Sequence, residues 1–150
     1  MQVDLLLCDH AEAVNGKLYI NGGGWSILYA ANRPATLFLA VVITVDWGET
    51  NRQHALTAEL VTIDGEPVMA IAPPGELTGP IKAVGNLEVG RPPGVKPGTP
   101  LPAPMALGFA NLVLEPGHYL WRVTVDEKRA EKTFQVVDPP QLPGFPPRPR

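Results

Sequence analysis

Apolar residues along this chain recur mostly at every second position, the period of a half-buried strand, and not at the 3.6-residue spacing of a helix. "QVDLLLC" (2–8) predicts a first short strand, and Asn15-Gly16 predicts a tight turn into a second at "KLYI" (17–20). After three glycines the pattern resumes at "WSILYA" (25–30). "TLFLAVVITVDW" (36–47) is apolar on both faces, which predicts a strand covered on both sides. "HALTAELVTI" (54–63) alternates, with Leu56, Ala58 and Leu60 on one face and Thr57 and Glu59 on the other. Asp64-Gly65 then predicts a hairpin into "PVMAIA" (67–72).

"APPGELTGP" (72–80) reads as loop, followed by a modest strand at "AVGNLEV" (83–89). Residues 90–104 contain six prolines and are excluded from the centre of any sheet, because proline offers no amide to the ladder. "MALGFANLVL" (105–114) and "HYLWRVTV" (118–125) predict two more strands, the latter placing Tyr119, Trp121, Val123 and Val125 on one face. A charged turn leads to "KTFQVV" (132–137), and 138–150 form a proline-rich tail of extended or polyproline II character.

Eight or nine short strands with regular turn signals predict an all-β fold, a single antiparallel β-sandwich over 1–137 with the tail at 138–150. "LEPGHYLWRV" resembles a tyrosine corner, in which the Tyr119 hydroxyl bonds back to the preceding loop, so the expected topology is an immunoglobulin-like Greek key. Trp121 stands where antibody domains carry a cysteine. A jelly roll is the alternative.

Composition reinforces the pattern. Of 150 residues 18 are proline, 13 of them from Arg91 onward, which argues against long helices. The net charge of −3 supplies no basic field for nucleic acid. Cys8 is the single cysteine, which rules out an intrachain disulfide. The N-terminus lacks the basic start and long apolar core of an export signal. The longest apolar run, 37–43, is too short for a membrane helix. The expectation is a soluble cytoplasmic protein with no nucleic-acid or membrane partner.

Candidate chemistry is sparse. Gly22, Gly23 and Gly24 follow Lys17 and precede a strand, so they read as a strand bend beside Trp25 and not as a phosphate loop. Cys8 and His10 alternate onto one face, a two-ligand start for zinc that needs a remote third ligand such as His54 or His118. The densest polar cluster is "DWGETNRQH" (46–54), with Asp46, Glu49, Arg52 and His54 around Trp47. It suits acid–base work or sugar stacking, and equally a hairpin turn closed by an Arg52–Glu49 pair. Ser26, the only serine, has no nucleophile context. The loop opening on Arg91, Pro92 and Pro93 is a stiff arm suited to docking on a neighbour. Pro143 to Arg148 has the P-x-x-P-x-R form of an SH3 ligand.

"LLLCDHAEAVNGKLYINGGGW", "WGETNRQHALTAEL", "LEVGRPPGVKPGT" and "PGHYLWRV" together resemble a family of uncharacterised bacterial proteins, mainly actinobacterial, defined as a domain of unknown function. The resemblance runs to Val137 and implies a small soluble single-domain protein; it transfers no activity, cofactor or catalytic residue. The functional expectation is a non-enzymatic binding or assembly module that needs no cofactor. It would meet a protein partner or its own copies through a sheet edge, the proline loop and the tail. A small-ligand binder, carbohydrate-like in its use of Trp25 or Trp47, is the alternative, and a metal-dependent enzyme built on Cys8 and His10 is the third reading.

Overall fold

The computed structural model of the protein describes residues 1–72, 76–140 and 144, with no side-chain description for 71–78. Among the described residues the chain forms eleven strands, one 3-10 turn and no α-helix. One sheet holds, in spatial order, β2 (Lys17–Gly23), β1 (Gln2–Val14), β4 (Pro34–Val45) and β9 (Leu101–Val113). A second holds β3 (Ile27–Leu28), β11 (Lys128–Val136), β10 (Gly117–Val125), β5 (Gln53–Thr62) and β8 (Lys82–Glu88). β6 (Met69–Ala72) and β7 (Glu76–Pro80) pair only with each other. Every ladder is antiparallel except β3 on β11.

Strand periodicity explains the core. Leu37, Leu39, Val41, Ile43 and Val45 of β4 point one way and are buried. They share one cluster with Leu5 and Leu7 of β1, with Leu56, Ala58 and Leu60 of β5, and with Tyr119, Trp121, Val123 and Val125 of β10. Both large sheets therefore contribute inward faces to the same core. Trp121 lies at its centre, fully buried, with the Phe109 ring of β9 at 4.4 Å. The other face of β4 is covered as its sequence predicts: Ala40 joins Cys8 and Ala11 in a second small cluster, with Leu6, Leu18, Phe38 and Ala106 packed around it.

Several elements depart from the sequence reading. "WSILYA" shrinks to the two residues of β3, which add parallel to Gln135 and Val136. The 46–54 segment is not a hairpin: β4 and β5 lie in different sheets, and the chain crosses between them through a 3-10 turn at Trp47–Glu49. After Asp64-Gly65 the chain turns as expected, but only the Val61–Pro67 bridge pairs it back to β5. Pro67 brings no amide donor, and β6 pairs instead with β7, inside the stretch read as loop. β9 begins at Leu101, earlier than the sequence suggests, so Pro102 and Pro104 do sit in a strand. That strand is an edge, where proline is tolerated. The SH3-type segment 143–148 lies outside the described residues, apart from Gly144.

Candidate functional site

The polar cluster read from the sequence comes together, and most of its groups are engaged with one another. The 3-10 turn places Trp47 so that Arg91, arriving from the start of the proline loop, lies with its guanidinium 4.1 Å from the ring centroid. Arg91 also donates to the Thr50 hydroxyl at 2.7 Å and to the Trp47 carbonyl at 2.8 Å. Thr50 in turn donates to the same carbonyl at 2.7 Å. One face of Trp47 is thus covered by a cation fixed at two further points, an arrangement that suits the planar guanidinium and not an ammonium.

Asp46 and Glu49 face the N-terminal ammonium, at 2.6 Å and 3.5 Å. The hydrogen bond to Asp46 holds the Met1 amine above its ordinary pKa. Arg52 pairs with Glu49 at 3.5 Å, as the sequence suggests. His54 is fully buried, although it is only the second residue of β5. Its Nδ1 faces the Asp126 carboxylate at 2.6 Å and its Nε2 faces the Glu49 carbonyl at 2.7 Å. Both partners are acceptors, so both ring nitrogens must carry hydrogen, and the imidazolium is the form that fits. The Asp126 hydrogen bond accordingly raises the His54 pKa against the opposing effect of burial. His54 lowers that of Asp126 in return, helped by the Ala55 amide.

Three members of this cluster were not singled out by sequence: Met1, Thr50 and Asp126. Asp126 sits in the two-residue turn between β10 and β11 with φ of 50°, a backbone that aspartate tolerates, and 72 residues separate it from His54. Only the sheet pairing of β5 with β10 brings them together.

The proline arm has its own order. Pro93-Gly94 and Pro97-Gly98 each place proline before a glycine of positive φ (85° and 88°), the requirement of a type II turn. The Val95 amide closes on the Pro92 carbonyl, and both the amide and hydroxyl of Thr99 close on Lys96. Pro92 and Pro93 are exposed.

Trp25 is elsewhere. Its ring stands edge-on to Phe134 at 6.1 Å, at the end of the β10–β11 ladder opposite Asp126. At about 3.3 Å per strand residue, some 25 Å separate the two tryptophan regions. Trp25 borders a cavity of about 510 Å³ together with Leu6, Leu120, Ser26, Glu131 and Lys132. The glycines before it bend β2 against β1: Gly22 has φ of 60°, and a Cβ there would overlap the Asp9 carboxylate. What the glycine backbone approaches is therefore a side chain of its own neighbouring strand.

The two-ligand zinc start does not converge. Cys8 is buried with its thiol on the Phe38 carbonyl at 3.4 Å, whereas His10 pairs with Glu12 at 3.2 Å. Burial and the Asp9 charge push the Cys8 thiol pKa up, away from the thiolate a metal requires. Among the described residues no three His, Cys, Asp or Glu side chains gather as a metal site, and no helix is long and apolar enough to cross a membrane.

No curated protein matches the chain. Residues 3–137 are matched by the family model described as "Family of unknown function (DUF6941)", and the chain belongs to that family.

Proposed function

We propose that the chain is an immunoglobulin-like β-sandwich acting as a non-enzymatic binding and assembly module. Sheet membership supports the topology. In immunoglobulin-type domains strands A, B and E share one sheet while C, F and G share the other. β1, β4 and β9 occupy the first set of places, β5, β10 and β11 the second. The Tyr119 hydroxyl donates to the Glu115 carbonyl at 2.7 Å, the bond of a tyrosine corner at the start of strand F. A jelly roll is the alternative topology.

The observation that carries the functional reading is what the molecule leaves outward. The polar loop is spent on the protein's own N-terminus, Arg91 and Asp126. Val14, Tyr19 and Ile20, by contrast, stand exposed on one hairpin, and the proline arm is held in shape by two turns. Light scattering combined with affinity capture from native host cells tests the reading: an oligomer or a stoichiometric partner is expected. A monomer that captures nothing overturns it.

The cavity beside Trp25 favours a second reading, a small-ligand site, since its volume falls within the range of such sites. Thermal-shift screening against sugars and metabolites tests this; no shift at millimolar concentration removes it.

A further inference from the structure

Among the described residues the two large sheets present four edges, and three are blunted by devices that oppose strand addition. β3 is two residues long. β9 carries Pro102 and Pro104 and a left-handed Asn111 with φ of 57°. β8 bears Lys82 and Glu88 at its ends and Gly85 at its centre. β2 confines such devices to its ends, Lys17 at the start and Gly22-Gly23 at the finish, and has none over Leu18, Tyr19 and Ile20; every residue of the strand except Leu18 is exposed. The hairpin is nonetheless fixed to the body: Ala11 and Leu18 pack with Phe38, Ala40 and Ala106 on the outer face of β4 and β9. A fixed edge whose middle carries aromatic and aliphatic side chains and no such device is a template for another strand.

The direction of its hydrogen bonds follows from the turn. Asn15 and Gly16 both have positive φ, 51° and 72°, the signature of a two-residue type I′ turn. Val14 and Lys17 are then the closing hydrogen-bonded pair. By alternation, the backbone groups of Leu18 and Ile20 face the open side.

We propose that this edge pairs with β2 of a second copy, antiparallel about a two-fold axis at Tyr19. The proposal rests on the assembly reading above and names the partner. In this register Leu18 lies opposite the partner's Ile20, Tyr19 opposite the partner's Tyr19, and Lys17 opposite the partner's Asn21. Both open amides are used, apolar meets apolar on one face, aromatic meets aromatic on the other, and no like charges oppose. Sliding two residues one way brings the turn residue Gly16 into the ladder. Sliding the other way brings in Gly22, whose φ of 60° leaves the strand conformation. The chemistry of Leu18-Tyr19-Ile20 reads nearly the same from either end, which is what a self-complementary interface requires.

Sedimentation across a concentration series is the test. The mass is expected to rise from 16.1 kDa toward twice that value. Ile20→Pro removes an edge amide without touching the hairpin's internal bonds, so it should hold the protein at the monomer mass with its thermal midpoint preserved. Ile20→Lys, which places a charge on the open edge, provides the same readout if the proline variant folds poorly. Tyr19→Cys should form a disulfide-linked dimer on oxidation, because a non-hydrogen-bonded antiparallel pair sets its Cα atoms about 4.5 Å apart, within disulfide range. Val84→Cys on the β8 edge should not, and Cys8 is buried. A wild-type protein that stays at 16.1 kDa throughout, with no Tyr19→Cys cross-link, overturns the self-pairing. If that monomer still captures a different protein, the assembly reading survives; if it captures nothing, both fall.

Discussion

The two tryptophan regions solve opposite packing problems at opposite ends of the β10–β11 ladder. Around Trp47 the chain brings charged and polar groups close and engages them with one another: Arg91 on the ring, the N-terminal ammonium on Asp46, His54 on Asp126. Around Trp25 the ring contacts are aromatic. Phe134 stands between Trp25 and Tyr119, with ring centroids 6.1 Å and 5.7 Å away, and Leu6 and Leu120 border the adjoining cavity. One end is thus held by directional bonds whose strength depends on protonation. The other is held by burial, which does not. That difference makes the two ends separable by experiment.

The largest effect is expected at the apolar end. Phe134 is 2% exposed and links both neighbouring rings, so Phe134→Ala leaves a cavity the rigid strands cannot close. A loss of about 4 kcal/mol is expected, in the range for large-to-small aromatic changes. Denaturant unfolding followed by tryptophan fluorescence measures it. A loss no greater than that of His54→Ala would break the comparison, because burial would then not dominate this end.

At the polar end, His54→Ala removes a buried cation and two hydrogen bonds. The expected cost is about 3 kcal/mol, the low end for breaking a buried pair, because the Asp126 side chain is 39% exposed and can rehydrate. The pH dependence is more discriminating than the size. The folded pKa of His54 lies above 6.5, so its contribution is complete below that pH and declines as pH rises through the raised folded value. Asp126 acts with the opposite sign: its folded pKa lies below 3.8, and its contribution is present above that pH and lost as pH falls through the lowered value. Wild-type stability should therefore be highest between these limits, and Asp126→Asn should flatten the decline on the alkaline side. Phe134→Ala should keep the full wild-type profile at lower stability. A profile that is identical in Asp126→Asn and wild type would remove the pair from the account.

The comparison also separates what the chain declares locally from what only the fold assembles. Strand faces were legible because they repeat every two residues: Leu56, Ala58 and Leu60 on β5, and Tyr119, Trp121, Val123 and Val125 on β10, are buried as their spacing predicts. The Asn15-Gly16 turn was legible from its residue types, and the Arg52–Glu49 pair from its i, i+3 spacing. Sheet membership was not. The same alternating pattern serves a strand that hairpins back and one that crosses to the facing sheet, so β4 and β5 were wrongly joined. For the same reason the members of 46–54 were legible as a cluster while their partners were not. Arg91 is 44 residues from Trp47, Asp126 is 72 from His54, and Met1 is 45 from Asp46. Trp25 stands out in the sequence because it follows three glycines, and nothing local reveals that Phe134 is its neighbour.

The smallest expected effect tests the closure of the polar end most directly. Arg91 is exposed as a residue, yet it touches the Trp47 ring, the Trp47 carbonyl and the Thr50 hydroxyl at once. Arg91→Lys keeps the charge but cannot lie flat on the indole while donating at two fixed angles. The expected loss is about 1 kcal/mol, the scale of an exposed cation–π contact. The Thr50 hydroxyl keeps its bond to the Trp47 carbonyl, so the turn itself should hold. Removing the guanidinium uncovers one face of Trp47, so quenching of its fluorescence by acrylamide should increase even where stability hardly moves. Trp25 and Trp121 contribute the same background in both proteins, and Trp25→Phe reduces it without touching this end. Unchanged quenching would mean that Arg91 does not cover the ring in solution, and the polar end would then offer an open aromatic face after all.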